Sequence, residues 1–477
     1  MTLLESVHCH GLELWARQAG YAAADSVMAG FDREVFEKYG LLFYDGGFGL
    51  GLTQYEQIED EFKTWYEKNT EPAVSLLTGS FFRIRSADAV LTDAVYATDY
   101  RGSVFVDCAL DFYKYDKASA LLTTIQEQLG VVSQGEKAKE AQNSASEAEK
   151  RVKTAFDEAS GENDQENAPK PETGSKTDYT SLMGTGLLGK IKELKKKGWL
   201  SLAFPKNRTM SAYQIDTKDL PSVTSVDKRK AAGSTYAGDL LKKASFDEYL
   251  LDYFSSFLDE RERTGLQYEL EYIIIGKDKD DENLKKTLNR ILLIREGLNL
   301  LSIEKSDVMK AEAKALATVM VGWLGIPVVI SLTALLIEGA WAYAESIADV
   351  RALLTGEKVP ILKDASDWRL NLTNAVYFLS GDGAVEKNSS KGLGYKDHLR
   401  LLLFMNSLQD NAYRAMDMVQ HNETRNGRRY LMASQIYAME FRVTSTAEPI
   451  FTELPFVRKQ LGLSPDYLLV HYFGEAY

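Results

Sequence analysis

Residues 184–190 read GTGLLGK, a glycine spacing that lets a backbone wrap around phosphate. That chemistry needs a buried strand before the loop and a helix after it, so that backbone N–H groups and the helix N-terminus meet the anion. The preceding TDYTSLM is no buried strand, and Ile191 stands where a P-loop needs a magnesium-holding hydroxyl. The stretch reads as a glycine-rich entry to KIKELKKK, residues 190–197, whose lysines suit a solvated helix face. Asp278, Asp280 and Glu282 have the spacing that opens a calcium loop, but Asn283 and Asn289 occupy the positions that need Gly and Glu. Acids there instead suit the positive end of a helix dipole. His8 and His10 flank Cys9, which is too few ligands for a metal site. Cys108 has no recognisable His partner, no G-x-S-x-G elbow occurs, and two cysteines make no disulfide framework. The expectation is of no catalytic, cofactor-binding or metal-ligating residues, and of no cofactor.

The elements that would position any chemistry mix two periods. Helical patterns run over residues 54–68, 105–129, 245–258, 284–301 and 396–419. Along 284–301, Leu284, Leu288, Ile291, Leu292, Leu298 and Leu301 fall towards one side. Period-2 alternation marks residues 435–445, with Tyr437, Met439, Phe441 and Val443 on one face, and residues 466–477 read as a last strand. The clearest strand pattern is at 265–276, where Tyr268, Leu270, Tyr272 and Ile274 alternate with Glu269 and Glu271. Two short β-like runs lie within 80–100. Helices and strands mixed without a βαβ rhythm predict an α+β fold. The 477 residues carry a net charge of −13, which repels a phosphate backbone, so no nucleic-acid partner is expected.

No residue between Lys314 and Glu338 is charged, so residues 315–337 are long enough to span a bilayer. Gly322, Gly325 and Pro327 interrupt them, and Pro327 disfavours helix at Ile326. The expectation is a buried helical hairpin over 308–353, with a membrane span at 315–337 as the alternative. Residues 134–178 lose their apolar anchors and read as a disordered linker or insertion whose first half has the composition of an exposed helix. The amino terminus reads as a helix. Leu3, Leu4, Val7, Leu14 and Trp15 approximate one face of it, Ala19, Ala22, Ala23, Val27 and Phe31 continue that face, and Gly11 and Gly20 are blemishes.

TLLESV, followed by DSVMAGFDREVFEKYGLLFYD at 25–45, resembles the start of an uncharacterised Gram-positive envelope family. That family is related to TadE/TadG-like minor pseudopilins of tight-adherence pilus systems. Residues 269–301, 340–368 and 392–422 are similar to its central and later blocks. The resemblance implies a long pilin-like helix over 1–44, serving as the stub of a membrane-anchored stem. The α+β body would follow at 45–133 and 179–477, on either side of the 134–178 insertion. It further implies a non-catalytic extracytoplasmic structural or assembly component at the cell membrane, with other pilus or envelope proteins as partners and a membrane contact through a helix missing from this chain. The alternatives are an envelope hydrolase whose site no linear motif reveals, or an integral membrane protein spanning at 315–337.

Overall fold

Small residues in helix α1 (Thr2–Met28) decide which of its faces packs. Leu12, Ala16, Ala19, Ala23, Ala24 and Val27 are buried, while Leu3, Leu4, Val7 and Leu14 are exposed. The face marked by the larger apolar residues near the amino terminus is therefore the outer one. The structure is a computed structural model describing residues 2–71, 83–113, 118–143, 150–152, 154–155, 194, 198–224, 240–261, 265–379, 391–424, 428–447 and 467–477. The GTGLLGK loop and all of KIKELKKK except Leu194 lie outside these residues, as does most of the 134–178 insertion.

The long helix expected over 1–44 stops at Met28. Asp32 starts a new helix, α2 (Arg33–Tyr39), by accepting from the Glu34 and Val35 backbone N–H groups at 3.1 and 3.3 Å. A side chain that satisfies orphan donors of the next helix fixes the break there. Gly40, at φ 65°, ends α2 in the left-handed conformation.

Strand β3 (Gln435–Ala447) is the centre of an antiparallel sheet. On one side lies β2 (Ile84–Tyr96); on the other lie β4 (Tyr467–Ala476) and the two-residue β1 (Tyr44–Asp45). The register sets Phe441 opposite Phe473 and Tyr44 opposite Ile436. Helices α1 and α3 (Tyr55–Thr70) cover one face of the sheet. There Phe62 stacks on Phe441 with ring centroids 4.2 Å apart. At Gly20 the Phe473 ring fills the space a Cβ would need, its Cζ only 2.1 Å from that position. Gly20 thus seats the sheet against α1 and is no blemish.

A second, larger core is helical. It joins α2 to α4 (Asp99–Phe112), α5 (Ala118–Asn143), α6 (Leu240–Tyr253), α7 (Glu269–Ile275), α8 (Asp280–Lys305), α10 (Pro327–Leu354), α11 (Tyr395–Met405) and α12 (Leu408–Thr424). Helix α5 runs unbroken past residue 134, where the insertion was expected to begin. Its Gly135 meets Gly297 of α8 so closely that a Cβ on Gly297 would lie 2.8 Å from the Gly135 carbonyl oxygen.

Residues 265–276, expected as a strand, hold the short helix α7. Every residue from Glu269 to Ile274 is buried, the two glutamates included. The alternation therefore never marked an inside and an outside, and a segment buried all round carries no usable period. The single helix expected over 396–419 is two, parted at Asn406, whose side-chain amide donates to the Ile274 carbonyl at 2.9 Å.

Helices α9 (Asp307–Val321) and α10 form the expected hairpin, but it is not buried throughout. Its seam is small: Ala313, Ala317, Met320, Val321, Val329, Ala334 and Ile337 cluster there, and Val152 from the segment after α5 is buried in the same cluster, with Ala155 and Leu372 packed against it. Towards the tip, Val319 is 82% and Val328 63% exposed. Helix α10 is long and apolar enough to cross a membrane by length and composition, and half of its most apolar window is buried inside the protein.

Candidate functional site

The ionisable groups capable of chemistry are concentrated in the interior of the helical body. Arg295 on α8 and Asp349 on α10 pair Nε to Oδ2 at 3.0 Å. Lys363, in the segment after α10, donates to Asp349 Oδ1 at 2.6 Å and also to Glu345 Oε1. Glu345 takes two further hydrogen bonds at 2.8 Å, from the backbone N–H groups of Arg369 and Leu370. Asn299 donates to Ser346 and Asp349, and Arg295 also donates to the Pro360 carbonyl at 2.9 Å. Two cations thus face two carboxylates, all buried. Burial alone would raise the Asp349 carboxyl; Lys363 and Arg295 beside it hold it below the usual range. The geometry fastens the loop after α10 to the helix pair and leaves no carboxylate turned towards a cavity.

A second group of acids performs the same task around α7. Glu269 accepts from the Ser255 N–H at 2.8 Å and from Asn422, and Glu271 accepts from the Phe257 N–H at 3.0 Å and the Tyr395 hydroxyl at 2.7 Å. Asp280 accepts from the Ser211 hydroxyl at 2.6 Å and the Gln267 N–H at 3.0 Å. Asp417 accepts from the Ser222 N–H at 2.9 Å and the Tyr272 hydroxyl at 2.8 Å. Each acid thereby satisfies backbone or hydroxyl donors of segments that form no ladder of their own, as a buried irregular chain requires. Burial pushes Glu271 up to about 7, and Asp247 and Asp417 up to about 6. Such displaced carboxyls are a usual sign of a reactive site, but here the groups beside them are structural donors. Glu271 Oε2 is the one atom of these acids recorded as buried with no partner among the described residues.

The residues singled out in the sequence are dispersed. Asp278 bonds Gln214 at 2.7 Å, and Asp280 is wholly buried as a clamp, a role beyond that of a helix N-terminal acid. Its signal, an acid four residues before the apolar Leu284, does not separate the two roles. His8 is buried on α1, and His10 is exposed beside Glu13. Cys9 and Cys108 are both free thiols. Cys108 Sγ bonds the Leu42 carbonyl at 3.3 Å, and burial pushes its thiol up to about 12, which removes the thiolate a nucleophile needs. His398 is buried with Nδ1 2.8 Å from the Gly394 carbonyl, and burial lowers it to about 4. Among the described residues, no three His, Cys, Asp or Glu side chains converge as metal ligands. A shallow groove of about 580 Å³ between α5, α8 and α11, edged by Glu136, Lys139 and Arg290, lies on the surface away from these clamps.

The acids of both clamps and the hairpin fall within residues 181–447, which match the model of a family of unknown function, DUF5702. No curated protein and no solved structure matches the chain. The matched stretch covers more than half of the 477 residues and includes every acid of the two clamps, so the chain belongs to the DUF5702 family.

Proposed function

We propose that the protein is a non-catalytic structural or assembly component of a tight-adherence pilus-like system, held on the extracytoplasmic face of a bacterial membrane. The observation that carries this reading is α1. From Ala19 to Met28 its buried face packs on the antiparallel sheet, and nearer its start Glu5 and His8 are buried, Glu5 accepting from the Tyr467 hydroxyl at 3.1 Å, while Leu3, Leu4 and Val7 form an exposed apolar outer face. An exposed apolar face at the start of a long amino-terminal helix is compatible with the membrane-proximal stem that the likeness of residues 2–7 and 25–45 to minor pseudopilins implies. The clamps add weight, because their polar groups are used for joining segments and are turned away from the surface. Partners would be other pilus or envelope subunits, met through α1 and the outer faces of the body.

The test is made in the source cells. Protease applied to intact cells should cut the protein, and a photoreactive residue at Val7 should crosslink it to a second envelope subunit. Recovery in the cytosolic fraction, untouched by external protease, would overturn the reading.

A further inference from the structure

We propose that the tip of the α9–α10 hairpin inserts into one leaflet of a lipid bilayer, as a shallow anchor and not as a span. This goes beyond the pilus reading and stands on different residues.

Both arms lose charge at matching heights. Lys314 is the last charged residue before the tip and Glu338 the first after it. From Lys314 to the turn at Gly325, and from Pro327 back to Glu338, each arm advances roughly 16 Å at the helical rise. Half of a hydrocarbon core is about 15 Å. The two charged ends return to the same side, so the hairpin can enter one leaflet without crossing. A crossing by α10 would draw in Glu345 and Asp349, which are bound to Lys363 and Arg295 in the body.

Lipid also demands that each backbone and side-chain polar group be satisfied within the segment. The hairpin meets that demand at its three hydroxyls and at several turn N–H groups. Thr318, Ser331 and Thr333 each donate their hydroxyl to the carbonyl four residues earlier, at 2.8, 3.2 and 2.8 Å. At the turn, Gly325 N–H donates to Gly322 O, and Val329 and Ile330 N–H groups donate to Ile326 O. Pro327 opens α10 and has no N–H to leave open. Val319, Trp323, Ile326 and Val328 then present an apolar tip. Lys314 stands at its rim, where an ammonium group meets headgroup phosphate, beside Glu312, Glu338 and a Lys310 that pairs with Asp307 at 3.0 Å.

The experiment uses the full chain and vesicles of phosphatidylcholine with phosphatidylglycerol, separated by flotation. The wild type should float. Val319→Glu/Val328→Glu, at two exposed positions, should lower the floating fraction at least tenfold with an unchanged thermal unfolding midpoint. Leu3→Glu/Leu4→Glu on α1 should leave flotation within twofold, so that failure of the α1 reading is distinguishable from failure of this one. Lipids brominated on the acyl chains should quench tryptophan emission, and Trp323→Phe should remove that quenching. Flotation of the Val319/Val328 variant equal to wild type, absence of quenching, or a wild type that stays in the dense fractions would each overturn the proposal. Self-association in the dense fractions, abolished by the two glutamates, would assign the tip to a protein partner and overturn it as well.

Discussion

Arg295 donates to Asp349 across the α8–α10 interface at 3.0 Å, with both side chains wholly removed from water. Lys363 and Glu345 complete a neutral set of four. Removing one member leaves an uncompensated buried charge, which is far costlier than removing a matched pair. Asp349→Ala should destabilise the protein by about 3–5 kcal/mol. Arg295→Met/Asp349→Leu, which leaves Lys363 and Glu345 paired, should recover most of that loss. Urea unfolding reads both variants; a loss below about 1 kcal/mol for Asp349→Ala would mean that water or relaxation already neutralises the set.

Glu271 predicts a pH dependence. Its carboxyl titrates at 4.5 when exposed and at about 7 when folded, so between these values only the folded chain holds the proton. Stability therefore falls as pH rises from 4.5 to about 7. Asp247 and Asp417 act in the same direction between 3.8 and about 6. His398 opposes them between about 4 and 6.5, because there the unfolded chain binds the extra proton. His471, likewise lowered by burial, joins His398, and Asp280, Glu338 and Glu345, raised by burial, join the carboxyls; the carboxyls outweigh the two histidines, so the protein should be more stable near pH 5 than near pH 7.5. Glu271→Gln keeps the acceptor for Phe257 and Tyr395 and should remove a loss on the order of 3 kcal/mol. Denaturant midpoints measured from pH 4.5 to 8 check this; identical profiles for variant and wild type would refute it.

The Gly135–Gly297 crossing predicts the opposite of helix propensity. Gly to Ala inside a helix normally stabilises by about 1 kcal/mol. A Cβ on Gly297 would meet the Gly135 carbonyl oxygen at 2.8 Å and its carbon at 2.9 Å, both backbone atoms. Overpacking of this kind costs about 1–3 kcal/mol, so Gly297→Ala should be net destabilising and Gly297→Val more so. A stabilised Gly297→Ala protein would show that α5 is not docked on α8.

Gly20 and Phe473 should be exchangeable only together. Gly20→Leu drives a side chain into the Phe473 ring and should cost about 1–3 kcal/mol. Phe473→Ala leaves a cavity costing about 3–5 kcal/mol. The double variant places Leu in the vacated space and should be more stable than the Phe473→Ala protein. Additive losses in a double-mutant cycle would mean that α1 and β4 do not share this contact.

Much of the framework is legible in the sequence, because one-sided burial leaves a period. The Leu284–Leu301 face of α8, the alternation of β3, the last strand and the break of the hairpin at Gly325–Pro327 all lie where apolar spacing or proline puts them. The α+β class follows from the same patterns. Where burial is complete, spacing stops informing: Glu269 and Glu271 look like the wet side of a strand and are interior clamps on a helix. Where packing depends on the absence of a side chain, composition misleads: Gly20 looks like a weak point of a helix and is where the Phe473 ring packs against α1. The α1 face shows the same limit, since small Ala residues pack on the sheet while Leu3, Leu4 and Val7 stay outside. The sequence by itself determined the α+β class and those helices and strands that keep one face exposed, through local periodicity and backbone limits. Only the tertiary structure decided which polar groups are buried and which apolar ones are not, because that depends on partners distant in the chain.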